Sequence, residues 1–179
     1  MDKFDIQECL NNMIILVDTR EQETDRAKKR YKSFGIPYRK VALPFGDYSY
    51  NFILPENKWF YDESDKVVPD IVIERKLNLA ELSNCFTHER DRFQREFKRA
   101  KEAGAKIILL VENATWENLI NGKYPTKYNP QAFLASITAY MVRYDMDVIF
   151  CKEETSGRLI KEILYRHLKE KLEKELINE

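Results

Sequence analysis

The sequence predicts an α/β fold in which helices cover a largely buried sheet, and three observations carry that reading. Apolar, β-branched runs alternate along the chain with stretches of helical period. Several of these runs, 107–111 above all, are apolar at every position, as strands covered on both faces are. The 107–111 run directly follows a helical stretch, the order of a parallel crossover.

The elements follow in order. Residues 1–12 are mostly polar and read as a short lead-in to a domain over 13–179. Met13 to Val17 is a first strand, with Asp18 to Glu21 at its end. Thr24 caps a helix from Asp25 to about Phe34, stopped by Gly35 and Pro37. Its Arg26, Lys28, Lys29, Arg30 and Lys32 read most simply as a solvated face. Residues 38–43 form a second strand. Tyr48 to Leu54 and Lys58 to Tyr61 pair as a hairpin through Pro55-Glu56-Asn57, and Asp62 to Lys66 is a polar link.

Val67, Val68, Ile71, Val72 and Ile73, broken only by Pro69, predict a central strand. It ends in three charges, Glu74, Arg75 and Lys76, where the pattern would otherwise continue apolar. Side chains alternate across a strand, so Glu74 and Lys76 share one face and Arg75 points to the other. A helical stretch then runs from Leu79 to Ala103 and closes at Gly104. It divides near Thr87, and its second part sets Arg90, Arg92, Arg95, Lys98, Arg99 and Lys101 against Phe93, Phe97 and Ala100. Beyond Ile107–Val111, residues 114–128 hold Trp116, Leu119, Ile120 and Tyr124, with Lys123 and Lys127 in a loop. Asn129-Pro130 opens a helix to about Tyr144. Val148 to Cys151 is a last strand, and Thr155 or Ser156 caps a long final helix.

Composition narrows the function. With 179 residues, 44% hydrophobic and 34% charged, the chain is long enough for one real core and too apolar to be disordered. No run is long enough to span a bilayer, and the start lacks a basic signal peptide, so a cytoplasmic protein is expected. Cys9, Cys85 and Cys151 are odd in number and far apart, which argues against a disulfide framework. No CxxC pair occurs, and His88 and His167 are the only histidines, so a zinc site is not expected. The net charge is zero, so any nucleic-acid contact must come from a local basic surface.

The chemistry-bearing residues fall into three motifs, each behind an apolar strand: Val17-Asp18-Thr19-Arg20-Glu21, Gly46-Asp47-Tyr48 and Ile73-Glu74-Arg75-Lys76. In this order they resemble the signature of the XPF/Hef-type structure-specific DNA endonucleases, a branch of the PD-(D/E)XK restriction-like nucleases. The resemblance covers roughly residues 13–165 and is closest to small standalone versions from bacteria and their phages. It implies a restriction-endonuclease-like fold, a central mixed β-sheet flanked by helices, and hydrolysis of DNA at branched or flapped structures during repair, recombination or replication. It also implies magnesium or manganese, DNA as partner, and pairing of nuclease domains into a homodimer through helices near 130–144.

Such hydrolysis needs an activated water and neutralisation of a pentacovalent phosphate, which a hydrated cation on carboxylates supplies. By the family's pattern Asp47 and Glu74 are the expected ligands, with the Arg75 carbonyl as a third contact. Lys76 is expected to orient the water or stabilise the phosphorane. Asp18 matches the family's first acid and is expected to hold a second metal or the ligand network. Arg75, facing away, is expected to brace Asp18 or Glu21 by a bidentate pair. The family pattern continues with an acid where this chain has Ala80, and Glu81 replaces it if the register shifts by one. Arg20, Arg90, Arg92, Lys123 and Lys127 are the expected DNA contacts. Asp70 completes a literal Pro-Asp but lies four residues from Glu74 on the same strand, roughly 13 Å away, too far to share an ion. It reads as a strand-start residue.

Two other functions fit the same motifs. One is an inactive DNA-binding or dimerisation module of this fold, against which the intact Asp47, Glu74 and Lys76 argue. The other is a restriction-type or repair nuclease that cuts ordinary duplex. The helix-hairpin-helix or helicase segments that confer junction recognition in the family have no counterpart in this sequence.

Overall fold

A six-stranded mixed sheet in the order β2-β1-β3-β4-β5-β6 organises the molecule. The computed structural model describes residues 1–62 and 66–178, with side chains to residue 176. The strands are β1 (Ile14–Asp18), β2 (Tyr38–Val41), β3 (Tyr48–Asn51), β4 (Ile71–Lys76), β5 (Lys106–Glu112) and β6 (Asp147–Cys151). β1 is parallel to β2, β3 is antiparallel to both β1 and β4, and β4, β5 and β6 are mutually parallel. The expected α/β architecture, a central mixed sheet flanked by helices, is what the chain forms.

Alternation along the strands sorts the core into two layers. Ile15, Val17, Ile71, Ile73, Ile108 and Leu110 point to one face, where α1 (Lys3–Asn11), α2 (Asp25–Ser33) and α7 (Glu153–Asn178) cover them. Val72, Ile107, Leu109 and Val111 point to the other, beneath α3 (Leu79–Phe86), α4 (Arg90–Glu102), α5 (Trp116–Ile120) and α6 (Pro130–Tyr144). Burying both faces is why these strands read as continuous apolar runs. Among the described residues no helix is long and apolar enough to cross a membrane.

Several local expectations change. Residues 3–11 are not a bare lead-in but α1, started by a capping box between Asp2 and Asp5, with Ile6, Cys9 and Leu10 in the core. Helical spacing of those three was present in the sequence, masked by the polar residues between them. The hairpin forms around the expected turn, with the Leu54 amide donating to the Lys58 carbonyl at 2.8 Å, the Phe60 amide to the Phe52 carbonyl at 2.9 Å and an Ile53–Trp59 bridge between them. β3 itself pairs with β1 and β4. β4 begins at Ile71, after Pro69, leaving Val68 exposed and Val67 in a small separate cluster. The link expected over 62–66 falls largely on residues 63–65, outside those described. The last helix starts before Thr155 and Ser156, whose hydroxyls donate back to the carbonyls of Lys152 and Glu153.

Gly157 sits where α7 crosses α2. A β-carbon there would collide with the Arg30 carbonyl and the Ser33 hydroxyl, so only glycine permits this close approach.

Candidate active site

Topology brings the three motifs together. β1 and β4 run parallel on either side of the antiparallel β3, so their C-terminal ends meet at its N-terminal end, where Asp47 lies. In register, Val17 and Ile73 both pair with Tyr48. The Asp18 amide donates to the Asp47 carbonyl at 2.8 Å, and the Asp47 amide donates to the Ile73 carbonyl at 2.9 Å. Gly46 is required twice over, by its left-handed φ of +72° and because a β-carbon would lie 2.6 Å from Cβ of Val72.

Asp47, Glu74 and Lys76 line one cleft of about 170 Å³ together with Arg20, Glu21, Cys85, Glu89, Arg92, Phe93 and Glu96. Oδ2 of Asp47 accepts the Arg75 amide at 2.7 Å. Nζ of Lys76 donates to Oε1 of Glu74 at 2.6 Å and stands 5.4 Å from the ring centre of Phe93. Burial, and then the charge of Glu74, push the Asp47 carboxyl well above the usual carboxylate range. Burial also pushes Glu74 upward, with Lys76 opposing and Glu96 adding to the shift. Burial alone would lower the Lys76 ammonium, yet Glu74 and Asp47 overcome it and hold the group above its ordinary value.

The opposite face of the sheet carries a charged brace. Arg75 donates from Nη1 to Oε2 of Glu112 at 3.2 Å and lies 3.6 Å from Glu21. Arg30, reaching up from α2, donates from Nε to Oε1 of Glu112 at 3.1 Å and from Nη1 to the Tyr48 hydroxyl at 3.1 Å. That hydroxyl donates to Oε2 of Glu21 at 2.7 Å. Arg30 and Glu112 are both fully enclosed, so each charge depends on the other.

The remaining expected site residues lie as follows. Asp18, 1% exposed, faces Arg20 in a bidentate pair at 2.8 and 3.0 Å and also accepts the Leu43 amide at 2.9 Å. It does not line the cleft, and Arg75 pairs with Glu21 and Glu112 rather than with Asp18. Glu81 turns back onto the helix start, accepting the Leu77 amide at 2.6 Å, and is likewise outside the cleft. Arg20 and Arg92 stand at the cleft, whereas Arg90, Lys123 and Lys127 are exposed away from its lining. Asp70, just before β4, accepts from the Tyr50 hydroxyl at 3.0 Å and from Lys171 at 2.8 Å. Three acids were not anticipated, Glu89 and Glu96 in the cleft and Glu112 in the brace. Glu96 had a faint signal, three residues after Phe93 and beside Phe97 on the buried stripe of α4.

The cleft wall suits a divalent cation. Five carboxylates, Glu21, Asp47, Glu74, Glu89 and Glu96, face three cations, Arg20, Lys76 and Arg92. Without a further positive charge such a wall would repel a phosphate. Among the described residues no three acidic, histidine or cysteine side chains converge as a ready-made ligand cluster. Magnesium needs none, since it keeps several waters and binds through one or two carboxylates. Asp47 and Glu74 fit that role.

Comparison with known proteins agrees with this architecture. The fold is similar to the XPF structure from Aeropyrum pernix, with a TM-score of 0.57 and 18% identity, covering 84% of this chain and 59% of that one. It is similar also to XPF from Aeropyrum pernix in complex with DNA, with a TM-score of 0.58 and 19% identity, covering 86% of this chain and 63% of that one. The chain thus spans about three fifths of the length of those solved structures. The fold is restriction-endonuclease-like. No curated protein sequence matches. The family model of the ERCC4 domain matches residues 17–163, so the chain belongs to the ERCC4 domain family.

Proposed function

We propose that this protein is a metal-dependent endonuclease that hydrolyses DNA phosphodiester bonds at branched or flapped structures, inside the cell, in repair, recombination or replication. The observation that carries the reading is the convergence of Asp47, Glu74 and Lys76 in one cleft whose wall has more carboxylates than cations. The similar fold of XPF from Aeropyrum pernix in complex with DNA supports DNA as the substrate class.

Asp47 and Glu74 would hold magnesium or manganese, with the Arg75 carbonyl as a third contact. The ion would supply a polarised water and offset the phosphate charge. Lys76, whose Nζ donates to Glu74 at 2.6 Å, would orient the water or stabilise charge building on the phosphoryl oxygens. The water oxygen would bond to phosphorus as the bond to the leaving sugar oxygen breaks, the water releasing a proton to solvent and the sugar oxygen taking one up from it. Arg92 at the cleft mouth and the exposed side of Arg20 would take flanking phosphates, and the exposed Arg90, Lys123 and Lys127 phosphates farther along the DNA. Pairing of two copies through α6 belongs to the same proposal, since Val142 is 87% exposed on its outer side.

The test is cleavage of labelled flap, fork, Holliday-type and plain duplex DNA with magnesium or manganese, beside Asp47→Ala and Glu74→Ala. Cutting of branched DNA that EDTA stops and both substitutions abolish is expected. Equal cutting of plain duplex would keep the site and remove the junction preference. Binding without any cutting would leave an inactive DNA-binding module.

A further inference from the structure

We infer that Glu96 is a working carboxylate of the cation site, acting on the water shell of the ion and not as one of its direct ligands. The inference rests on the nuclease reading and concerns a residue that belongs to none of the three motifs.

Glu96 reaches the cleft from α4, on the helical side of the sheet that Glu74 and Lys76 also face. Its side chain is only 13% exposed. Oε1 accepts the Gly46 amide at 3.1 Å and stands 3.8 Å from Nη2 of Arg20. Oε2 makes no hydrogen bond among the described residues and is not sealed from solvent, so it stays open to the cleft. The carboxylate therefore does two things. It fixes the glycine that precedes Asp47, and after Asp47 and Glu74 it supplies a third negative charge to a wall that also carries Glu21 and Glu89.

The sequence offers Glu81 for that third charge, but its carboxylate is committed to the Leu77 amide at 2.6 Å. Glu96 has the access that Glu81 lacks. Among the described residues no three such groups converge, so beside Asp47 and Glu74 the place assigned to Glu96 is the outer shell. A magnesium or manganese ion that retains several waters presents hydrogens at its periphery, and a carboxylate there accepts them. Outer partners of this kind tune affinity by about 10- to 100-fold.

The test is binding of manganese alone, with no DNA, followed by the loss of the free-ion electron paramagnetic resonance signal. Glu96→Gln retains an oxygen for the Gly46 amide and removes the charge. It is expected to weaken manganese binding by about tenfold or more, while Glu81→Gln stays within about twofold. Glu96→Asp restores the charge on a shorter arm and is expected to bind more tightly than Glu96→Gln. It also serves should the Gln form fold poorly. Equal binding by wild type and Glu96→Gln would overturn the inference and leave Glu96 a brace for the turn, as would Glu96→Asp binding no better than Glu96→Gln. If wild type and Glu74→Gln bind manganese equally poorly, the nuclease reading itself fails and takes this inference with it.

Discussion

The main-chain amide of Arg75 donates to Oδ2 of Asp47 at 2.7 Å, so the acid in the turn is tied to the strand that carries the second acid. Asp47→Asn retains the acceptor and Asp47→Ala removes it. Both are expected to lower cleavage of a flap substrate by at least about 100-fold, the scale of a lost charge-stabilising group. They should part in thermal or urea unfolding. The Ala form orphans the amide, at a cost of about 1–3 kcal/mol. The Asn form relieves a crowded negative charge and should unfold no earlier than wild type in EDTA.

The same crowding sets a pH dependence. Asp47 and Glu74 have raised carboxyls in the folded chain, against ordinary values of 3.8 and 4.5. The folded state therefore holds protons that the unfolded state has released, and stability falls as pH rises through the folded values. In EDTA the melting temperature should climb as pH drops from 8 toward 5, and the Asp47→Asn, Glu74→Gln double variant should flatten that slope. His167, whose burial lowers it from 6.5, works in the opposite sense and is common to both proteins, so the comparison removes it. An unchanged slope in the double variant would show that the two carboxyls are not the source.

Glu112 is the hinge of the brace, holding Arg30 at 3.1 Å and Arg75 at 3.2 Å. Glu112→Ala strands two arginines in the interior and is expected to cost about 3–5 kcal/mol. Arg30→Met with Glu112→Leu removes both enclosed charges and should recover a large part of that loss in chemical denaturation. Cleavage by the double variant tests the role of Arg75, which would then keep only Glu21.

Gly46→Ala and Gly157→Ala both place a methyl group inside contact distance of fixed atoms, Val72 in one case and the Arg30 carbonyl in the other. Each is expected to destabilise by about 1–3 kcal/mol. Only Gly46→Ala should also abolish cleavage in protein that remains folded, because it moves Asp47 directly. Calorimetry beside single-turnover cleavage separates the two effects.

Much of the site was legible because its parts end strands. Asp18 and Glu74 each break the apolar run of their strands, Asp47 stands just before β3, and a mixed sheet has few ways to collect such ends at one edge. Asp47 and Glu74 were expected from the family resemblance and both line the cleft, and strand alternation gave the opposite facing of Arg75. The long-range charge pairs were not legible. Arg30 lies 82 positions from Glu112, and on sequence alone it was one of five basic residues on a helix that read as solvated. Nor could spacing show that Glu81 would bond to the Leu77 amide or that Glu96 would fill the cleft from the next helix. Those outcomes depend on how helices pack, which periodicity does not encode.

Alternation in β4 gives the molecule an inbuilt proofreading of its own assembly. With Glu74 beside Leu109 and Arg75 beside Leu110, neighbouring charges are assigned to opposite sides of the sheet. A slip of one position would turn Arg75 toward the cleft and drive Glu74 and Lys76 into the Arg30–Glu112 cage, where both Glu112 oxygens already have partners. The misfolded form would be incompetent and unstable for one and the same reason. Chains that reach a durable native state have therefore already been sorted for a correctly armed cleft.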